Sequence, residues 1–198
     1  MANNTYAFGL TPIGDVANGR MGGIRAYYMP ATYATAAFIG DLVVSTNSAN
    51  ATAINGHKAG SLDTVVKYAA EGTAVTGVIV GFEPIDEYKS IGAQGAASTE
   101  RIVYVCDDPK ALFAIRADSD TITSAIIGKN VDVTVGAGNA FTGLSTTVAD
   151  TSTAATTATL PLKIVGIMQQ EGEDEVAGSA MLKVMLNTST LANHTAGI

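Results

Sequence analysis

Apolar, β-branched runs of six to eleven residues recur along this chain, separated by turn-forming residues. Strands spaced roughly ten residues apart with turn signals between them point to a β-sandwich or barrel. The runs are IRAYYM (24–29), DLVVST (41–46), TVVKYAA (64–70), VTGVIVGFE (75–83), RIVYVCD (101–107), ALFAIRA (111–117), NVDVTV (130–135), LSTTVAD (144–150), LPLKIVGIMQQ (160–170) and AMLKVMLNT (180–188). EGTA lies between the third and fourth, at hairpin length, and DPK between the fifth and sixth, where Asp108 before Pro109 sets a sharp turn. One segment, 118–130, has helical spacing: Ser119 or Asp120 is placed to cap it, Ile122, Ala125 and Ile126 share a face, and Gly128 ends it. The Thr/Ala segment 151–159 carries no periodic signal. No internal repeat stands out, although VTGVIVGFEP and LKIVGIMQQ are loosely alike, each an apolar run broken by a glycine. The expectation is therefore a mainly β protein, an antiparallel barrel or sandwich with one short helix.

Residues 1–23 read differently. Gly and Pro recur at irregular spacing, yet Tyr6, Phe8, Leu10, Ile13, Val16 and Met21 are too apolar for a disordered leader. The reading is an extended arm lying on its own domain or on a neighbouring subunit, followed by a β domain over 24–190 and a flexible tail over 191–198. At 198 residues the chain is long enough to bury a core without staples. Its one cysteine, Cys106, forms no intrachain disulfide and reads as a small buried hydrophobe. No signal peptide opens the sequence and no apolar run approaches the length of a membrane span.

Chemistry-bearing motifs are sparse. GAGNAFTG (136–143) follows a strand but lacks the spacing of a nucleotide loop and reads as a hairpin turn. His57 and His194 stand apart in polar surroundings, DSD (118–120) lacks the rest of a calcium loop, and the acidic EGEDE (171–175) reads as a solvated turn. Asp41 after Gly40 reads as a turn into a strand, its carboxylate bonding the local backbone. There is no G-x-S-x-G, and with no tryptophan a sugar-stacking platform is poorly supplied, Tyr88 and Phe141 being the obvious loop aromatics. The expectation is no enzyme, no metal and no cofactor. A net charge of −7 with 11 scattered basic residues argues against nucleic acid as a partner, and no membrane partner is expected. Charged residues are only 15% of the chain, so its surface is largely Thr, Ser, Ala, Asn and Gly.

YYMPATYATAAFIGDLV, VTGVIVGFEP, STERIVYVCDDP and ATTATLPLKIVGIMQQ, in this order, resemble a family of small head-associated virion structural proteins of tailed bacteriophages. The likeness spans roughly residues 10 to 186. It implies a capsid decoration (cement) protein on the virion head surface, with the major capsid protein and further copies of itself, as dimer or trimer, for partners. A head–tail or tail component, or a carbohydrate-binding adhesion module, are the alternatives. The stretch 31–38 would be a small-residue ledge on which another backbone lies close, with Tyr33 as anchor. The residues expected at subunit or capsid interfaces are Tyr6, Phe8, Leu10, Ile13, Tyr27, Tyr28, Pro30, Tyr33 and Phe38.

Overall fold

The continuous apolar runs exist because most strands bury both faces. In the computed structural model, which describes residues 3–16, 23–84, 94–118, 122–169 and 178–192, thirteen strands form among the described residues. They are β1 (Thr11–Asp15), β2 (Ile24–Met29), β3 (Ala37–Phe38), β4 (Leu42–Ala49), β5 (Asp63–Lys67), β6 (Gly77–Phe82), β7 (Gln94–Gly95), β8 (Arg101–Cys106), β9 (Ala111–Arg116), β10 (Asn130–Thr134), β11 (Val148–Ala155), β12 (Leu162–Ile167) and β13 (Met181–Leu186). Strands β2-β5-β4-β6-β8 close into a barrel, β1-β9-β13-β12-β10-β11 form a six-stranded sheet, and β3 pairs with β7. The fold is mainly β, as the sequence predicts. Strand pairs among the described residues of both large sheets are antiparallel except β2 with β5, where the barrel closes through a parallel contact of Tyr28 with Thr64.

Alternation along the barrel strands assigns each side chain to one of two cores. Val43, Val65, Ile79, Val103 and Val105 fill the barrel. Leu42, Val44, Val78 and Cys106 point outward and pack on the six-stranded sheet, with Phe113, Ile115, Leu162, Leu182 and Val184. A period of two with apolar residues on both faces yields LVV and VIV rather than an apolar–polar alternation.

The two halves of the chain share one topology. In the barrel, β2 pairs with β8, β8 with β6, β6 with β4 and β4 with β5, all antiparallel, and β5 returns to β2 in parallel. In the second half, β9 pairs with β13, β13 with β12, β12 with β10 and β10 with β11, all antiparallel. Then Ala149 of β11 meets Ala117, one residue past β9, in a parallel bridge. The likeness extends to single bonds. Gly40 N–H donates to the Ile79 carbonyl at 2.8 Å and Ile79 N–H to that of Asp41 at 2.9 Å; Gly128 and Ile164 do the same, at 2.8 Å to Ile164 and 2.9 Å to Lys129. Both glycines lie in the left-handed region, at φ 93° and 84°. Register slips after Ile79 in one half and after Ile164 in the other. FIGDLVV (38–44) therefore overlies IIGKNVD (126–132), and IVGF (79–82) overlies IVGI (164–167). The chain is an internal duplication of one five-stranded unit, over 24–106 and 112–186. The loose likeness of VTGVIVGFEP and LKIVGIMQQ is its trace in sequence, where no repeat was expected.

One expectation needs correction, and two that were open are filled in. The helix over 118–130 is a single turn of 3₁₀ helix, Ser124–Ile126, because Gly128 N–H and the Lys129 carbonyl are taken by Ile164 of β12; its expected caps Ser119 and Asp120 lie outside the described residues. The Thr/Ala segment is not featureless: Thr151–Ala155 continues β11. Residues 3–16 lie on their own chain. Thr11–Asp15 is an edge strand paired with β9, and Leu10 is part of the large core. The remainder of the arm, residues 17–22, is outside the described residues, as are 193–198 of the tail and the acidic turn 171–175.

Candidate functional site

Of the nine residues expected at an interface, three are spent inside the protein. Leu10 and Tyr27 are buried in this chain's own cores, and Phe38 is buried against Gly138 of a later hairpin, so none leaves surface for a partner. Tyr27 also donates its hydroxyl to Asp107 Oδ2 at 2.6 Å, and that oxygen is shared with the Arg25 guanidinium. Burial first, and the Asp107 hydroxyl bond second, push the Tyr27 phenol well above the usual tyrosine range. Tyr6 and Ile13 are exposed and Phe8 is half-buried, spread along the N-terminal segment.

Tyr28, Pro30 and Tyr33 do come together. They line an open groove of about 440 Å³ with Thr46, Ser48, Ala49 and Thr64, at the seam where β2 and β5 meet. Tyr33 is set by a turn in which its N–H donates to the Pro30 carbonyl at 3.0 Å, while its own carbonyl accepts Ser98 N–H at 2.9 Å. Tyr28 is held at its far end by a hydroxyl bond to Glu100 at 3.0 Å. The lining is aromatic, small and hydroxyl-bearing, with no charged side chain. Docking a partner there desolvates no ion, which is the costly step in covering a charged surface.

Only the far end of the small-residue ledge is covered by this chain: Ala37 and Phe38 are buried, while Ala31, Thr32, Ala34 and Thr35 are exposed. The hairpin 136–147 lies along Phe38–Gly40: Ile39 N–H donates to the Gly143 carbonyl at 3.1 Å and Ser145 N–H to that of Ile39 at 2.8 Å. From the other side the N-terminal segment crosses Gly40, with Leu10 N–H donating to its carbonyl at 2.9 Å. A Cβ on Gly40 would stand 2.6 Å from the Phe8 carbonyl oxygen, so only glycine permits this crossing. The hairpin is pinned from below by a buried ion pair. Lys67 Nζ lies 3.0 Å from Asp41 Oδ2 and donates to the Gly136 carbonyl at 2.7 Å. Asp41 also accepts Phe38 N–H at 2.8 Å and Ser145 Oγ at 2.6 Å. Sequence reading finds the Asp41 turn but not Lys67 or Ser145, which are brought in from 26 and 104 residues away.

GAGNAFTG is the hairpin turn expected, with Asn139 and Leu144 bridged. Its tip raises Phe141 98% exposed, held by Asn139 Oδ1, which accepts its N–H at 2.9 Å. His57 is not solitary: its Nε2 lies 3.4 Å from Glu83 Oε2. Cys106 is buried as expected, and burial pushes its thiol up to about 11. His194 and Tyr88 lie outside the described residues. Among the described residues no three His, Cys, Asp or Glu side chains gather as a metal site. No helix there is long and apolar enough to cross a membrane. Compared with protein-family models, with curated proteins and with solved structures, the chain finds no match.

Proposed function

We propose that this chain is a capsid decoration (cement) protein of a tailed bacteriophage. It binds the outer surface of the head shell through protein–protein contacts, acts with no reacting centre of its own, and has the major capsid protein and other copies of itself as partners. The observation that carries the reading is the groove of Tyr28, Pro30 and Tyr33, an uncharged surface with aromatic anchors at its edge. Aromatic residues are enriched at interface cores and charged ones depleted there. The order of motifs that resembles head-associated phage proteins supports it, and the net charge of −7 favours the outer face of a shell over a DNA-filled lumen. The buried ionic groups fit a structural role, since Asp41, Lys67 and Asp107 are each bonded to fold-holding partners.

The test is cosedimentation of the purified protein with expanded empty heads, and separately with tails, of the phage that encodes it. Wild type is expected in the head pellet. Ala49→Arg, at an exposed position of the groove, is expected to remain in the supernatant with an unchanged melting temperature. No binding to heads, or binding to tails instead, overturns the reading; head binding that Ala49→Arg leaves intact removes the groove from it.

A further inference from the structure

The duplication shows an open place. In the second half, β9 carries β13 on one side. On its other side it carries β1, with Thr11 opposite Ala114, Gly14 opposite Leu112 and Asp15 opposite Ala111. Its counterpart in the first half is β2. Matching registers on β13 and β8 set Ala114 over Ala26 and Leu112 over Ile24. Along β2 the β8 side is paired over all six residues, but the opposite side meets β5 only at Tyr28. Among the described residues, no strand pairs with the edge from Ile24 to Tyr27. The edge that β1 covers in one unit is covered by no described strand in the other.

The backbone at this edge is set for an antiparallel neighbour. Pro12 of β1 has no N–H, so the ladder to β9 runs through Leu112 and Lys110, the latter accepting Val16 N–H at 3.1 Å. Alternation then points the N–H and C=O groups of Ile24 and Ala26 outward.

The two edges also differ in protection. β1 carries Pro12 and a register slip between Pro12 and Gly14, both devices that stop a further strand from adding. β2 carries neither. Its one cation, Arg25, is already paired with Asp107, and Ile24 at 47% and Tyr104 at 36% exposed are apolar beside it. An unblocked, charge-neutral edge with outward donors and acceptors is a template for its own kind.

We propose that β2 is a self-association edge, pairing antiparallel about a two-fold axis with β2 of a second copy. Such a contact is isologous and closes on itself as a dimer. It deepens the self-association in the function proposed above and rests on that part alone; the test contains no heads, so its failure leaves shell binding to the cosedimentation assay.

The experiment is amide hydrogen exchange of the full chain at low and high protein concentration, with native mass spectrometry on the same samples. Expected are a dimer, and protection of the Ile24 and Ala26 amides that rises with concentration while other amides are unchanged. Ile24→Lys, which places a charge on the exposed edge, is expected to weaken dimerisation by roughly tenfold or more. Phe141→Ser, at the most exposed large apolar side chain among the described residues, is expected to change nothing. A monomer at every concentration, a dimer in which Ile24 and Ala26 exchange as fast as in dilute protein, or an Ile24→Lys variant that dimerises like wild type overturns the proposal. So does loss of the dimer in Phe141→Ser, which would assign the contact to the hairpin tip.

Discussion

Asp41 is the test of how the two units are held in register. Asp41→Ala removes the acceptor of Lys67 Nζ, Ser145 Oγ and Phe38 N–H together. Lys67 is left with the Gly136 carbonyl, at a side chain only 4% exposed. Removing one partner of a buried ion pair costs about 3–5 kcal/mol, because the survivor keeps its desolvation and loses its counter-charge. That is a large share of the ~5–15 kcal/mol by which domains are stable. Lys67→Met alone costs about as much, since it leaves Asp41 buried without its counter-charge. The double variant Asp41→Ala with Lys67→Met contains no orphaned charge. What it leaves unpaired is neutral: the Phe38 N–H, the Ser145 hydroxyl and the Gly136 carbonyl, at about 1–3 kcal/mol each. The two substitutions should therefore be non-additive by about 3 kcal/mol, the double being no worse than either single. Urea unfolding followed by circular dichroism measures all four proteins. An Asp41→Ala cost below about 1 kcal/mol, or a double variant equal to the sum of the singles, would refute the role given to this pair.

Two further outcomes follow from the packing. Gly138 and Gly72 both sit at positive φ, but a Cβ on Gly138 runs into the Phe38 ring while one on Gly72 meets nothing; Gly72→Ala should cost about 1 kcal/mol for the left-handed backbone alone, and Gly138→Ala about 1–3 kcal/mol more for overpacking, read as a larger fall in melting temperature. In alkali the Cys106 thiol and the Tyr27 and Tyr68 phenols all hold their protons to higher pH in the folded chain than in the unfolded one. The folded state then binds more protons, so stability is fully present below about pH 8 and falls as pH rises through 9 and beyond. Urea midpoints taken from pH 7 to 11 check this, and midpoints that stay level above pH 9 contradict it.

Much of the fold is legible because the signal is local. IRAYYM is β2 to the residue, and RIVYVC, ALFAIR and NVDVT are strands within one residue of their runs. What escapes reading depends on distant partners. β3 and β7 are two residues each, too short to have a period. Ile122 and Ile126 are spaced as on a helix, yet β12 captures Gly128 and Lys129 before a second turn forms. Tyr27 looks like an interface aromatic because nothing nearby in sequence shows the barrel closing around it, a closure made by one non-local contact, Tyr28 with Thr64; Phe38 does because the hairpin that covers it, at Gly138, is distant in sequence. The repeat is hidden for the same reason. What the units share is register and hydrogen bonding, and FIGDLVV against IIGKNVD retains only the glycine, one valine and an isoleucine. In the groove, Tyr28, Pro30 and Tyr33 are found by their run, whereas Thr46, Ala49 and Thr64 on the facing strands carry no signal of their own.

The placement of β1 also bears on how the chain is made. It leaves the ribosome well ahead of β9, its strand partner among the described residues, which begins at Ala111. At ~5–20 residues per second, the intervening hundred or so residues take roughly 5–20 s to emerge. By the end of that interval the first unit has all of its own strands in hand, and Gly40 of that unit can already accept the Leu10 N–H. The strand β1 alone stays unpaired until the second unit arrives, and its addition marks the point at which both halves have been built.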